Sequence, residues 1–537
     1  MNFDYLKELG SGKSKIFSDE RIARIKRKNE RRDSQLIIGF TGAVGSCLKE
    51  AANVVESILK NDFQYNVKQL RISMDVLEPA VKDTIRELST FDRIWKLMDV
   101  GNDLREKTGD GGIIAKVVCS TIHKGRENEE NEENVRNAYL IRSFKHPDEI
   151  RVMREVYGSR FVLVGVYSEE KNRKSRLKGE GVQAEEAKQL IKRDQYESEK
   201  FGQRARDTFS LSDFYISYND GSSIDRASND LKRMLNLIFG HPHITPTFDE
   251  FSMFMAFSAS LRSADLSRQV GAVITSKDSI IATGANDVPK FGGGLYWPER
   301  CEESYKFKDH KKGRDRMRGY DSNVKERLRI MSKILKEFDK GDERNKVKKV
   351  LENSQLADLT EYGRPVHAEM AALSDCSRLG LKTNKANIYC TTFPCHNCAK
   401  HIIASGIREV VFMEPYPKSK TLEFYDDSAT NEFNSRKNKV YFRPFVGVGP
   451  RRFLEFFSMS QGFREKKRKN RVNGKAVSFG DRESGLPNVA NNQLSFYEKE
   501  YLAGLRVVAS LKKKEDIKPE QSASDESRED KRDQELI

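Results

Sequence analysis

Apolar and polar positions change their spacing near residue 35. The run QLIIGF (35–40) is almost wholly apolar, as a strand buried on both faces would be, and it ends in a glycine-containing turn. In the stretch that follows, CLKEAANVVESILK (47–60), Leu48, Ala51, Ala52, Val55 and Leu59 recur at the period of an amphipathic helix. Strand-like runs return at NVKQLRIS, NAYLIRS, RFVLVGVYS and DFYISYND, with helical or charged stretches between them. Such alternation predicts a parallel sheet covered by helices. Residues 168–208 carry many charges and few apolar anchors, which predicts a mobile helical lid or an exposed helical pair. RENEENEEN (126–134) predicts an exposed loop.

The segment HPHITPTFDE predicts a linker at 241–248, closing a first domain over 34–240. A second α/β pattern starts at EFSMFMAFSASLRS and continues with QVGAVITS and SIIATGAND as strands. A charged insertion at about 300–360 follows, expected to be a surface element, although Cys301 and His310 leave open a further metal or a subunit contact. Helix, strand, helix and strand are then read at HAEMAALSDCSRLG, KANIYCTT, CAKHIIASG and REVVFMEP, within a domain over 249–511. Residues 512–537 are nearly free of apolar side chains and predict a disordered tail. Residues 1–33 predict a basic arm whose RIARIKRKNERR is a solvated helix face.

Composition narrows the setting. A chain of 537 residues exceeds one ordinary domain, and two of about 200–250 residues are expected. A net charge of +15 suits phosphate-bearing partners, free nucleotides and nucleic acid alike. Seven cysteines at uneven spacing exclude a disulfide scaffold and suit a reducing cytoplasm. The start MNFDYLKELG lacks a signal pattern, and no apolar run approaches the roughly 18–20 residues of a membrane helix, so no membrane partner is expected.

One pair of segments carries recognisable chemistry. His367-Ala368-Glu369 is followed, after residues 370–393, by Pro394-Cys395-His396-Asn397-Cys398. Cysteines three apart in the first turn of a helix project to one side, and Pro394 suits a helix start. Two thiolates and one neutral imidazole, from Cys395, Cys398 and His367, balance Zn²⁺ and leave a fourth position for water, the arrangement of a catalytic zinc. Glu369, two residues past the histidine, is then the proton carrier for that water. A structural zinc knuckle from Cys395, Cys398 and His401, with His396, is the competing reading; the HAE segment at this distance argues against it. Cys376 and Cys390 are expected to be packed core thiols.

The spacing matches the HxE…PCxxC signature of zinc nucleobase deaminases. With FMAFSASLRSADLSRQVGAVIT, GANDVP, VHAEMAAL and CTTFPCHNCAKHIIASGIREVVF, residues 249–420 resemble the deoxycytidylate deaminase family within the cytidine deaminase superfamily. The resemblance implies an α/β/α domain, one catalytic Zn²⁺, free deoxycytidine nucleotides as substrates, and oligomers such as hexamers. It assigns Asn286 a contact to the nucleotide's sugar or phosphate; an Asn satisfying its own turn is the plain alternative.

IIGFTGAVGS, RSFKHPDEIRVMREVYGSRFVLVGVYS and DFYISYNDGS make the first half similar to P-loop nucleotide kinases. This implies a parallel sheet with helices on both faces, so the whole chain is expected to be α/β. It also implies nucleotide binding at Gly42, Gly45, Ser46 and Lys49, with Mg²⁺ accompanying the nucleotide. Cys47 and Leu48 stand where the motif needs glycine and lysine, which argues against phosphoryl transfer and for regulatory binding or a structural role. GSGKS (10–14) follows no strand and is read as a loop. The two halves together resemble bacterial anti-phage dCTP/dCMP deaminases, which implies depletion of dCTP in antiviral defence and an inhibitory small RNA as a partner. Two other classes compete: a polynucleotide cytosine deaminase, suggested by charge and by REKKRKNR (464–471), and a nucleotide or RNA sensor with vestigial catalysis.

Overall fold

The computed structural model describes residues 35–127, 136–218, 223–458, 471–476 and 499–510, less single positions and two- or three-residue stretches within these ranges. The basic arm, GSGKS, most of RENEENEEN, the run REKKRKN and the tail lie outside the described residues. The chain divides into two compact units. One comprises Met1–Ser212, Tyr218–Pro242 and Phe463–Ile537; the other comprises Asp213–Ser217 and His243–Gly462.

In the first unit, β1 (Leu36–Thr41), α1 (Leu48–Phe63), β2 (Asn66–Arg71), α2 (Thr90–Thr108), α3 (Ile113–Glu127), β3 (Asn137–Arg142), α4 (Pro147–Tyr157) and β4 (Phe161–Tyr167) follow the alternation read from the sequence. Their strands lie in the order β4-β1-β3-β2, all parallel, with Gly39 registering against Leu163 on one side and Ile141 on the other. Every residue of β1 is buried, which is why its sequence shows no alternation. Helices α5 (Glu170–Gly179) and α6 (Ala184–Gln195) form the expected helical pair, but not an exposed one. Leu177, Val182, Ala187, Leu190 and Ile191 are few, yet all are buried, packing with Met98, Trp95, Phe91 and Ile94. A sparse apolar stripe suffices when every member of it is used.

In the second unit, α9 (Phe248–Ser260), β6 (Gly271–Ser276), β7 (Ser279–Ala285), α12 (Ala368–Arg378), β8 (Asn387–Thr392), α13 (His396–Ala404), β9 (Glu409–Glu414), β10 (Ala429–Thr430) and β11 (Val440–Pro444) build one mixed sheet. Between them, α10 (Ser322–Leu335) and α11 (Asp342–Glu352) belong to the charged insertion. The order is β10-β11-β9-β8-β6-β7, parallel from β8 to β10 and antiparallel at β8/β6 and β6/β7. The short β5 (Phe214–Ser217) pairs antiparallel with β12 (Gly447–Val448) in this unit, a long-range pairing invisible to local patterning. The earlier helices α7 (Ala205–Phe209) and α8 (Ser223–Ile238) lie to either side of β5 in the chain.

Two glycines set the layers of this sheet. A Cβ on Gly271 would lie 1.9 Å from the Ala256 carbonyl oxygen of α9, and one on Gly284 would lie 2.1 Å from the Ala368 carbonyl oxygen of α12. Gly271 registers against Ala285 and Gly284 against Ala272, so the two glycines face opposite ways. Helices α9 and α12 therefore cover opposite faces, giving an α/β/α sandwich. The close approach at Gly284 brings the first turn of α12 directly onto the strand.

Candidate metal and acid–base site

The site is assembled from two helix starts. His367 is the residue before α12 and Cys395 the residue before α13, both in extended backbone conformation. Cys398 follows in the first turn of α13, so both helices direct their positive ends toward the same place. His367 Nδ1 lies 3.2 Å from Cys398 Sγ and 3.4 Å from Cys395 Sγ. The three donor atoms fall within 4.8 Å of one another, and among the described residues they form the one His/Cys/Asp/Glu group so arranged. Bonds of about 2.0–2.3 Å to a tetrahedral zinc place ligand atoms about 3.6 Å apart, so one imidazole and two sulfurs at these separations fit that ion.

Glu369 completes the constellation. Its carboxyl is almost fully buried, and Oε2 lies 3.6 Å from Cys398 Sγ. Burial pushes this carboxyl above its ordinary range. The Cys395 thiol is pushed down to about 4, first by its hydrogen bond with Cys398 and then by His367; His367 is pushed up to about 9, chiefly by Cys395. Cys395 thus stands as a thiolate ready to bind a cation. Cys376 and Cys390 are buried core thiols, as expected. His396 and His401 stay out of the donor group: His396 packs edge-on to Phe424 at 5.8 Å, and His401 is exposed. The zinc-knuckle arrangement is therefore absent among the described residues.

The structure places Asn286 just past β7. Its Nδ2 donates to the Arg268 carbonyl at 2.7 Å and its Oδ1 accepts from the Val270 N–H at 2.7 Å, so its side chain braces the loop ahead of β6. Arg268, which the sequence reading did not single out, reaches across that loop. Its Nη2 donates to Thr392 Oγ1 at 3.0 Å and to Glu414 Oε2 at 2.6 Å, at the carboxyl ends of β8 and β9. Ser419 Oγ donates to the Pro394 carbonyl at 2.8 Å, steadying the turn before Cys395. No spacing rule points to these braces, because each joins segments far apart in the chain.

The charged insertion has a buried ionic core as well as its charged surface. Arg314 lies 3.1 Å from both Asp287 Oδ2 and Asp309 Oδ1 and donates to the Tyr296 carbonyl at 2.6 Å; the three charged side chains are all at least 95% buried. Asp287 in turn accepts the Val366 N–H at its carbonyl at 3.0 Å, one residue before His367. Removing Arg314 strands the buried Asp287 carboxylate and leaves Asp309 with Arg316 alone, so Arg314→Met is expected to destabilise the protein by about 3–5 kcal/mol. Urea unfolding checks this; a loss below about 1 kcal/mol would mean the cluster does not tie the insertion down.

In the first unit, Gly42, Gly45 and Ser46 form the turn between β1 and α1, as their motif expects. Lys49 is exposed on the first turn of α1, and the ammonium at the turn is that of Lys145, which donates to the Gly42 carbonyl at 2.8 Å. No second metal-ligating group occurs among the described residues, so the Mg²⁺ expectation gains no support. No helix among them is long and apolar enough to cross a membrane.

Residues 246–414 match the family model described as the cytidine and deoxycytidylate deaminase zinc-binding region. The ComE operon protein 2 of Bacillus subtilis (strain 168) is 47% identical over 53 residues, which are 10% of this chain and 28% of that protein. The deoxycytidylate deaminase of Saccharomyces cerevisiae is 28% identical over 180 residues, 33% of this chain and 40% of that protein. The chain thus spans well under half the length of these two curated relatives. Among solved structures, the dCMP deaminase of cyanophage S-TIM5 in complex with dCMP and dUMP is 17% identical, with 38% of this chain and 99% of that chain covered and a TM-score of 0.21. The matched region contains His367, Cys395 and Cys398 and is described as zinc-binding, which supports Zn²⁺ in this part of the chain and a deoxycytidylate deaminase/cytidine deaminase superfamily domain over the residues matched.

Proposed function

We propose that the chain is a zinc-dependent hydrolase that deaminates free deoxycytidine nucleotides, dCTP or dCMP, to deoxyuridine nucleotides. The observation that supports it most directly is the convergence of His367, Cys395 and Cys398 within 4.8 Å beside the buried Glu369. Zinc held by these residues supplies, when bound, a water that ionises near neutral pH. Glu369 Oε2 would take one proton from that water and pass it to N3; once the water's oxygen is bonded to C4, the same carboxylate would take that oxygen's remaining proton and deliver it to the amine, which leaves as ammonia as the C4–N bond breaks. Burial serves both transfers, since a carboxyl with a raised affinity for protons is a competent acid as well as a base. His367 and the two cysteines hold charge and geometry and move no proton.

The match to the deoxycytidylate deaminase family supports a free nucleotide over a polymer. Draining dCTP is the antiviral consequence we attach to this activity. The test incubates the full chain separately with dCMP, dCTP and single-stranded DNA, with zinc quantified in the same samples. Ammonia and a deoxyuridine nucleotide from dCMP or dCTP are the expected products; release from the polymer alone would replace this reading with polynucleotide deamination.

A further inference from the structure

We propose that the turn between β1 and α1 is a phosphate cradle closed by the chain's own carboxylate, with Asp194 of α6 in the anion position, so that a polyphosphate enters only when Asp194 withdraws. The Val44 N–H donates to Asp194 Oδ2 at 2.7 Å. Lys145 Nζ lies 2.7 Å from Asp194 Oδ1, and the same ammonium donates to the Gly42 carbonyl. The two oxygens of one carboxylate are thus held by a backbone amide ahead of a helix and by an ammonium, the donor types that hold phosphate in such loops. Asp194 is fully buried, and a carboxylate so placed persists only when its charge is matched.

Two further features describe a cradle built for more than Asp194. Ser46 Oγ is buried at the turn with no hydrogen-bond partner, a hydroxyl that a larger anion would engage. Gly45 has a φ of +79°, and a Cβ there would lie 2.9 Å from the Arg173 carbonyl oxygen. The turn is therefore shaped for backbone to approach closely, and α5 seats on it. The buried Arg173 sends Nη1 to the Val44 carbonyl at 3.4 Å, adding positive charge beside the anion position. The latch is reinforced along α6, where Leu190 and Ile191 are buried and the Arg193 guanidinium lies 4.3 Å from the Trp95 ring centroid.

The inference is independent of deamination. Inorganic tripolyphosphate is titrated into the full chain by calorimetry, comparing wild type with Asp194→Ala and Asp194→Asn. Removing the internal anion is expected to tighten binding at least tenfold in Asp194→Ala. Asp194→Asn keeps the shape and the acceptor for Val44 and should tighten binding less, providing the test should the alanine variant fail to fold. Adding Lys145→Met to either variant should abolish the gain. Equal affinity across wild type and both variants, or binding by none of them, overturns the proposal. Magnesium-ATP in a parallel titration shows whether a nucleotide's phosphates use the same cradle: a matching rank order supports it, and tighter binding to wild type overturns it.

Discussion

Glu369→Gln is expected to leave zinc bound and the fold intact while lowering turnover of deoxycytidine nucleotides by about a thousandfold, within the range that positioned acid–base groups contribute. Glutamine has nearly the same shape, so the buried space that Glu369 fills in the first turn of α12 stays filled. What is lost is a group able to accept a proton and return it. The KM should move little, because the loss falls on the transition state and not on nucleotide binding. Steady-state kinetics with zinc quantified in the same preparation checks this. A rate within tenfold of wild type would remove Glu369 from the proton path.

Cys398→Ser is expected to lower zinc affinity by at least ~100-fold, exceeding the effect usually seen when only a ligand's neighbour is changed. Cys398 is fully buried and faces His367 Nδ1 at 3.2 Å, so a shorter, harder oxygen there neither reaches nor matches the ion as a thiolate does. Loss of the metal should also lower the melting temperature, since a ligand bound to the folded state stabilises it by mass action. Competition with a chromogenic chelator measures the first effect and thermal melts with and without added zinc the second. Unchanged affinity would mean that the three donors do not share one ion. Glu369→Gln and Cys398→Ser separate chemistry from metal: the first keeps zinc and loses rate, the second loses both.

The motif residues were readable because their constraints are local. Cysteines three apart behind a proline announce a helix start, and HAE ahead of an apolar period announces another. Residues whose partners are distant in sequence give no such local signal. Lys49 fits a motif by position yet points to solvent, while Lys145, about a hundred residues later in the chain, reaches the same turn from the end of β3. Residues 168–208 look too polar to pack, because five apolar side chains among many charges give little local signal; α2 supplies the complementary face. The insertion's charges predict solvated surface, yet its Arg314 and Asp309 are buried together with Asp287 from the segment after β7.

By itself the sequence determined the alternation of strands and helices, the candidate metal donors and the carboxyl placed two residues after the histidine. These rest on side-chain type and on backbone periods a few residues long. Only the tertiary structure decided that His367 meets Cys395 and Cys398, because that meeting requires α12 to lie against β7 at Gly284 and α13 to start where β8 ends. It likewise decided that a buried carboxylate fills the turn after β1. Spacing along a chain limits which groups can be neighbours, but packing selects which of them share a site.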